Sequence, residues 1–385
     1  MDKYIHVVVA TGKWDQDNLR YRRHRFAEYL TKQPDTKEVV WVCPTPQKEK
    51  NKFRQLPNSV KEFAVSDLLP PRVFRFSRYF DIFYNGKIKS LLSYLEEKRD
   101  YKKVLWYTYP GFPGLANACQ WEKVIYDCSD LWVAPVSGKN NLLIKLREES
   151  IRSSENRIIK NSDRIFCTSD FLGDTVKSNH YSNGKEVEVI ENGVEYDLFN
   201  TLEITEDKRL NQIASPIIGY IGGIKPKLDF AIIRDIAVKH KEATILFIGP
   251  DATGENSDFK ESLKIPNILW LGKVDPFDVP KYMNKIDIGI LPYKKSIYNQ
   301  AVFPLKLFEF LASGKIVLGM NLPSTQKYQL EDAYFYYDNQ IDLIEKLDDL
   351  IESGSYRNSV ELRKEYAKKK SWDSIFNTLY KSAMY

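Results

Sequence analysis

Cysteine and histidine are scarce in this 385-residue sequence, which contains four of each. The cysteines show no C-x-x-C spacing and the histidines lie far apart, so neither a disulfide framework nor a structural zinc site is expected. No apolar run approaches the ~20 residues of a membrane span, and the first residues lack the features of a signal peptide. We therefore expect a cytoplasmic protein whose membrane association, if any, is peripheral and on the inner face.

An excess of one charge is also nearly absent, because the formal net charge is only +5. This value is too small to indicate a nucleic-acid partner. The distribution is uneven, since the first 100 residues hold 20 Lys and Arg against 13 Asp and Glu, whereas the remaining 285 hold 37 against 39. The positive charge therefore belongs to the N-terminal part.

Short β-rich runs alternate with helical patterns along the chain, which is typical of doubly wound α/β folds with parallel sheets. One series of strands fills the first 190 residues, and a second begins at Pro216–Ile221, after the polar segment 200–215. We predict two Rossmann-like domains, 1–201 and 202–370, and a C-terminal helix, 371–385, that packs back on the first domain. Ligands of such sheets bind beyond the carboxyl ends of the strands, so we expect a site in a cleft between the domains.

A candidate diphosphate site follows the first strand of the second series. Gly222 and Gly223 end that strand, and Lys225 and Lys227 follow where a helix is expected to begin. Glycines allow close backbone approach, a helix N-terminus favours an anion, and a lysine neutralises it. The segment has neither the P-loop nor the G-x-G-x-x-G pattern, which disfavours nucleotide hydrolysis and dinucleotide redox chemistry. The alternative is a tight turn with solvated lysines.

The segment FPLKLFEFLASGKIVLG, residues 303–319, suggests a second polar contact. If Pro304 starts a helix, Lys306 and Glu309 point from one face. A carboxylate can accept two hydroxyl hydrogen bonds from a ribose, and a lysine suits phosphate or sugar oxygens. The alternative is a surface Lys–Glu pair.

The N-terminal part carries basic and aromatic clusters. Arg20, Arg22, Arg23 and Arg25 suit an anionic acceptor or form a solvated basic face. In the segment 68–87, arginines at 72, 75 and 78 interleave with aromatic residues, which suits an anionic membrane surface or buried aromatics with snorkelling arginines.

Two carboxylates in YDCSDLW, Asp127 and Asp130, follow a strand and are the acid/base candidates of this part. The alternative is that Asp130 caps a helix and Asp127 holds a loop. His24 is interpreted as a surface residue. Because no cluster combines His with Asp at metal-ligand spacing, we expect lysines and helix dipoles, without a metal, to hold a donor diphosphate.

The order of segments in the second half resembles the nucleotide-sugar-binding domain of GT-B-fold glycosyltransferases in the retaining family four and family one-like group. The segments are GYIGGIKPKLDF, TILFIGP, NILWLGKV, DIGILPY and FPLKLFEFLASGKIVLG. Upstream, RYRRHRFAEYL, VIYDCSDLW, DRIFCTSDFL and VEVIENGVEYDLF resemble segments of the same group. The similarity is greatest to bacterial cell-wall and exopolysaccharide enzymes, including teichuronic acid biosynthesis glycosyltransferases.

The resemblance implies roles for individual residues. Lys227 is expected to hold the donor diphosphate, and Glu309 the ribose. The donor-binding set that it implies is Gly12, Gly222, Gly223, Lys225, Lys227, Gly249, Pro250, Lys273, Val274, Pro304, Leu305, Lys306 and Glu309. The predicted catalytic set is Asp127, Asp130, Lys227 and Glu309, and the predicted acceptor contacts are Trp14, Arg20, Arg22 and Arg23.

One position departs from the group's pattern, because Ala301 stands eight residues before Glu309, where a first glutamate is expected. The leading expectation is a retaining, metal-independent transfer of sugar from a nucleotide sugar, with UDP as the nucleotide, to a glycan or lipid-linked glycan. Two alternatives remain. One is a non-catalytic glycosyltransferase-like binding subunit, which Ala301 favours, and the other is a UDP-sugar 2-epimerase.

Overall fold

A computed structural model describes residues 3–16, 19–46, 53–68, 77–134, 142–179, 184–210, 213–255 and 257–385, without the side chain of Leu143. The chain divides into two compact units, Met1–Glu191 with Phe376–Tyr385, and Asn192–Ile375. The division falls between Glu191 and Asn192, whereas the predicted boundary was between 201 and 202. The residues between these two positions belong to the second unit because Val194 and Phe199 are buried in its hydrophobic core.

The first unit is built on a sheet with eight strands among its described residues, in the order β3-β4-β2-β1-β5-β6-β7-β8. All neighbours are parallel except β3 and β4. The strands are β1 Tyr4–Val9, β2 Thr36–Thr45, β3 Phe53–Gln55, β4 Val60–Ser66, β5 Lys102–Tyr107, β6 Lys123–Cys128, β7 Arg164–Cys167 and β8 Val187–Val189. The three-residue edge strand β3 was not predicted.

The helices of the first unit cover this sheet, so its central strands are almost continuously apolar. They are α1 Arg22–Thr31, α2 Asp81–Tyr84, α3 Lys89–Glu97, α4 Leu142–Asn161 and α5 Asp170–Lys177. None of the helices among the described residues is long and apolar enough to cross a membrane.

The second unit contains a six-stranded, fully parallel sheet among its described residues, in the order β11-β10-β9-β12-β13-β14. The strands are β9 Ile217–Ile221, β10 Thr244–Ile248, β11 Ile268–Trp270, β12 Ile288–Pro292, β13 Ile316–Met320 and β14 Tyr334–Tyr337. The helices are α6 Tyr196–Phe199, α7 Phe230–Lys239, α8 Asp258–Ser262, α9 Val279–Met283, α10 Ile297–Ala301, α11 Lys306–Ala312, α12 Gln340–Ser353 and α13 Val360–Lys368. Mixed α/β architecture with parallel sheets is thereby confirmed.

The last helix, α14 Trp372–Met384, is separate from α13, although the sequence pattern is helical from 361 onward. The break coincides with a short β-bridge between Ser371 and Val194. Residues from Phe376 onward belong to the first unit. There the Phe376 ring lies 5.2 Å from that of Phe26, and the Tyr380 hydroxyl donates to Asp35 at 2.9 Å.

A buried arginine fixes the segment that follows α11. Arg363 is almost fully buried, and its guanidinium donates to the carbonyl oxygens of Asp332, Gly314 and Tyr356. Gly314 has φ +72°, which only glycine adopts without strain. These bonds hold the C-terminal side of the helix that carries Glu309.

A partly buried carboxyl group in the first unit makes stability depend on pH. Burial raises the pKa of Glu155 from 4.5 to about 6, and the Tyr126 hydroxyl donates to this carboxylate. The folded chain therefore holds the proton more tightly than the unfolded chain. This stabilisation is complete below pH 4.5 and is lost as the pH rises through 6.

We expect Glu155→Gln to abolish this pH-dependent loss and to raise the free energy of unfolding at pH 7 by about 2 kcal/mol. Urea denaturation of the wild type and of Glu155→Gln, at a pH below 4.5 and at a pH above 6, measures this difference in the free energy of unfolding. The matched control is Glu149→Gln, at an exposed position on the same helix, which should follow the wild-type profile. An identical loss of stability in wild type and Glu155→Gln would contradict the assignment.

Candidate functional site

Three glycines lie together at the carboxyl ends of β9, β10 and β11. Gly222, Gly249 and Gly272 all have positive φ, at +145°, +135° and +79°. The Gly222 amide donates to Ile248 O at 2.8 Å, and the Gly249 amide donates to Gly272 O at 2.7 Å. A Cβ on Gly249 would lie 2.1 Å from Gly222 O. The backbones therefore pack directly on each other, and a side chain at Gly249 would not fit.

Lys306 and Glu309 lie beside this glycine edge. A Cβ on Gly222 would be 2.9 Å from Lys306 Cε, and Lys306 Nζ is 3.0 Å from Glu309 Oε2. Glu309 is only 3% exposed, so the alternative of a surface pair is wrong. The structure thus brings Gly222 next to a lysine and a carboxylate of one helix that lie more than 80 residues later in the sequence.

Lys227 is surrounded by aromatic rings at the end of β12. Its Nζ lies 5.0 Å from the ring centroid of Tyr293 and 5.5 Å from that of Tyr298. Burial raises the pKa of Tyr293 to about 12, against the opposing effect of the nearby Lys306 ammonium. Two cations therefore lie near one phenol, and such a pair of ammonium groups can attract a diphosphate.

The neighbouring Tyr220 completes this polar surface. Its hydroxyl donates to Gly223 O at 3.3 Å, and burial raises its pKa well above the usual value. None of the three tyrosines was predicted from the sequence as a site residue. A signal was present, because two of them directly follow or precede predicted strand ends, but aromatic residues at such positions are usually core residues.

The predicted helix start at Lys225 and Lys227 is wrong. Helix α7 begins at Phe230, and Asp229 caps it by accepting from the Ala231 amide at 3.1 Å. The intervening residues pair with other loops instead, since Ile224 and Leu228 form isolated β-bridges. A helix dipole near Gly223, expected from the sequence, is therefore not present at that position, and positive charge comes from lysine side chains.

The turn after β10 is held rigidly beside the lysine loop. Pro250 O accepts from the Ile224 amide at 2.9 Å, and the Trp270 indole donates to Gly249 O at 2.9 Å. Lys260 Nζ lies 3.0 Å from Asp251 Oδ2 and 4.3 Å from the Trp270 ring. Lys273, exposed, and Val274, partly buried, follow Gly272 at the neighbouring strand end.

The segment before Glu309 is mostly buried. Helix α11 begins at Lys306, with Leu305 at its N-cap position, two residues later than a start at Pro304 would give. Ala301 is buried at the end of α10. No carboxylate stands at its position, so only Glu309 supplies the acidic residue of this pattern.

In the first unit, Gly12 lies in the loop that follows β1. Its carbonyl accepts from the Trp41 indole at 3.0 Å, and a Cβ would lie 1.8 Å from Gln16 Oε1. The ring of Trp14 packs edge-on against those of Trp41 and His24, at 4.9 Å and 4.8 Å. Trp14 therefore belongs to a packed group of aromatic rings, and Gly12 contacts that group through Trp41.

Arg22 and Asp127 form a buried ion pair. Arg22 Nε donates to Asp127 Oδ2 at 2.8 Å, and their side chains are 4% and 1% exposed. Arg22 Nη1 also donates to Glu191 O at 2.9 Å. Asp127 is thus the buried partner of a guanidinium, and its role as an acid or base stays a prediction.

The other arginines of this cluster also have partners in the same unit. Arg20 forms a bidentate ion pair with Glu28, with N–O distances of 3.0 Å and 2.7 Å. Arg25 is buried and donates to Arg20 O, whereas the Arg23 guanidinium lies 4.2 Å from the Tyr21 ring centroid. A solvated basic face is therefore wrong for these residues.

His24 is buried, which corrects its interpretation as a surface residue. Burial and neighbouring arginines lower its pKa to about 2, so the imidazole is neutral. Nδ1 accepts from the Tyr21 amide at 3.1 Å, which leaves the proton on Nε2 for Trp14 O at 3.1 Å.

Asp130 caps a turn and not a helix. Its side chain accepts from the Leu131 amide at 3.0 Å, and residues 131–134 form no helix.

The basic and aromatic segment 68–87 is described only in part. Arg72 and Arg75 lie outside the described residues, whereas Arg78 pairs with the buried Asp67. Tyr84 is buried. The side chains of Phe80, Ile82 and Phe83 are 42%, 84% and 39% exposed.

Within the described ranges, no group of three or more His, Cys, Asp or Glu side chains could hold a metal ion. A D-x-D sequence, a pattern that can bind a metal-held diphosphate, occurs at Asp15-Gln16-Asp17. Asp15 pairs there with Arg54 at 3.1 Å, and Asp17 lies outside the described residues.

The sequence is similar to known glycosyltransferases. The family model described as glycosyl transferases group 1 matches residues 215–353. A protein of Bacillus subtilis (strain 168), named as the teichuronic acid biosynthesis glycosyltransferase TuaH, is 47% identical over 382 residues. The match covers 98% of this chain and 96% of that protein.

Solved structures share the fold over nearly the whole chain. Sucrose-phosphate synthase from Thermosynechococcus elongatus has a TM-score of 0.77 at 14% identity, and 99% of each chain is covered. HepE from Anabaena, in complex with UDP and glucose, has a TM-score of 0.68 at 12% identity and the same coverage. WaaG, a glycosyltransferase involved in lipopolysaccharide biosynthesis, has a TM-score of 0.69 at 15% identity, covering 98% of this chain and 99% of that one. The likeness confirms the GT-B fold.

Proposed function

The chain belongs to the group 1 glycosyltransferases, and from this premise we propose that it moves a sugar from a UDP-sugar to a glycan or lipid-linked glycan acceptor. The observation that carries the proposal is the meeting of Gly222, Lys227, Lys306 and Glu309 at the carboxyl edge of the second sheet. Two cations beside the partly buried Gly223 suit a diphosphate, and a buried carboxylate suits ribose hydroxyls. The structure of HepE with UDP-glucose supports this donor class.

The proposed chemistry follows from where charge develops. Departure of UDP places negative charge on the diphosphate, and Lys227 and Lys306 stabilise that charge without a metal. Glu309 orients the ribose and also holds Lys306 in place through their 3.0 Å contact. We propose retention of anomeric configuration on the basis of the family resemblance.

The acceptor is proposed from the relative's name. Because TuaH is named for teichuronic acid biosynthesis, we propose an anionic cell-wall polysaccharide of this kind, in free or lipid-linked form. The alternative of a non-catalytic binding subunit is favoured by one observation, Ala301 at the first acidic position. A subunit of that kind would co-purify with a partner enzyme and transfer no sugar.

The experiment that tests the function is a thermal-shift screen across UDP, GDP, ADP and dTDP and their sugars, followed by transfer assays with the stabilising donor. Stabilisation by UDP and UDP-sugars, with transfer to a teichuronic acid fragment, supports the proposal. Stabilisation by a different nucleotide would contradict UDP, and release of a free 2-epimer without acceptor would indicate an epimerase.

We also propose a peripheral contact with anionic membrane, made by the exposed residues Phe80, Ile82 and Phe83, with Lys89 close by in the sequence. Exposed apolar side chains beside cations suit the headgroup region of a bilayer. We expect Ile82→Glu to reduce retention on phosphatidylglycerol-rich vesicles at low salt about tenfold, since burying an isoleucine contributes ~1.5–3 kcal/mol.

Vesicle co-sedimentation measures this retention. The control is Ile341→Glu, because Ile341 is 65% exposed on α12 of the other unit. Equal retention of wild type and Ile82→Glu, or an equal loss in both variants, would contradict the membrane surface.

A further inference from the structure

Asn299 is a fully buried residue of α10 that ties two loops together. It is 0% exposed, and its Nδ2 donates to Lys294 O at 2.7 Å and to Lys227 O at 3.1 Å. The Lys294 amide also donates to Lys227 O, at 3.0 Å. One amide side chain thus connects the loop that bears Lys227 to the segment between β12 and α10.

This segment and the first turn of α10 provide the aromatic rings around the Lys227 ammonium. Tyr293 is the first residue of the segment, and Tyr298 directly precedes Asn299. Tyr293 is anchored in turn, because its carbonyl accepts from Asn321 Nδ2 at 2.9 Å. The main chain and the charged end of Lys227 are therefore both fixed by residues 293–299.

Holding both the backbone and the ammonium of a lysine lowers the entropy cost of binding a phosphate. A free lysine side chain has about 2 kcal/mol of rotamer entropy to lose when it binds a phosphate. Holding its backbone and placing its ammonium against two rings removes part of that loss before the ligand arrives. The lysine is then preorganised, and the residues that hold it contribute to affinity without touching the ligand.

This inference rests on the proposed function: we propose that Asn299 is a positioning residue, which fixes Lys227 against Tyr293 and Tyr298 so that its ammonium is ready for the donor diphosphate. Asn299 acts only through Lys227. Its loss should therefore weaken binding of ligands that carry the diphosphate and leave binding of the nucleoside unchanged.

The test is a double-mutant cycle with titrations of UDP and of uridine. We expect Asn299→Ala to raise the Kd of UDP about tenfold and to change that of uridine less than about twofold. We expect the variant carrying both Asn299→Ala and Lys227→Ala to bind UDP no more weakly than Lys227→Ala alone, because the two residues form one unit.

Asn267→Ala is the matched control. The Asn267 amide also holds backbone carbonyls, those of Ala237, His240 and Ala243 at 3.0–3.1 Å, but it belongs to the opposite edge of the sheet. This variant should lower the melting temperature and leave the ratio of UDP to uridine affinity at the wild-type value. If Asn299→Ala does not fold, Tyr298→Leu in the same cycle takes its place.

Equal weakening of UDP and uridine, or additive effects of the two substitutions, would overturn the positioning role. A different result concerns the proposed function itself. If Lys227→Ala binds UDP as wild type does, or if the wild-type chain binds no UDP, the diphosphate site is wrong and the inference fails with it.

Discussion

Lys227→Ala is expected to raise the Kd of UDP about 30-fold and to lower kcat/KM for the UDP-sugar by about 100-fold or more. The ammonium lies between the rings of Tyr293 and Tyr298 and near a second cation, Lys306, so its removal halves the positive charge of this cluster. A hydrogen bond to a charged group contributes ~1.5–3 kcal/mol, which corresponds to a factor of about 10 to 100. The effect on catalysis is larger because charge on the diphosphate grows as it departs.

Isothermal titration calorimetry and initial-rate assays measure the two quantities. The control is Lys241→Ala, which removes an exposed lysine near the amino end of β10, at the opposite edge of the same sheet. It should bind UDP as wild type does. Comparable losses in both variants would mean that net charge, and not a local contact, governs donor affinity.

Asp127→Ala is expected to lower the free energy of unfolding by about 3–5 kcal/mol. The substitution leaves the Arg22 guanidinium, 4% exposed, without the carboxylate that now lies 2.8 Å from it. Removing one partner of a buried ion pair costs about this much, because the remaining charge is desolvated and uncompensated. Chemical denaturation with parallel activity measurements tests the effect.

The chain offers an exposed pair for comparison. Asp15 and Arg54 lie 3.1 Å apart with side chains 62% and 45% exposed, and Asp15→Ala should change stability by at most about 1 kcal/mol. A double replacement, Arg22→Met with Asp127→Leu, should recover part of the loss by removing both charges. Full stability with abolished transfer in Asp127→Ala would instead support the acid/base role predicted from the sequence.

The candidate residues of the two units differ in how far the sequence could predict them. In the second unit, Gly222, Lys227 and Glu309 were predicted because strand ends, glycines and the P-L-K-x-x-E pattern are local signals. Asn299 gave no such signal, since its contact with Lys227 joins residues 72 positions apart. In the first unit, a cluster of basic residues was visible, but its partners were not.

The alternation of apolar runs and helical patterns by itself predicted two α/β units with mainly parallel sheets. Parallel strands are buried on both faces, so each strand is an apolar run and is followed by a helix that covers the sheet. The spacing of the cysteines also predicted free thiols, and the four cysteines form no disulfide in the structure. Only the tertiary structure decided which charges neutralise each other, as with Arg22 and Asp127, which are 105 residues apart. Strand order and helix placement bring such residues together, and neither is encoded in the local spacing of side chains.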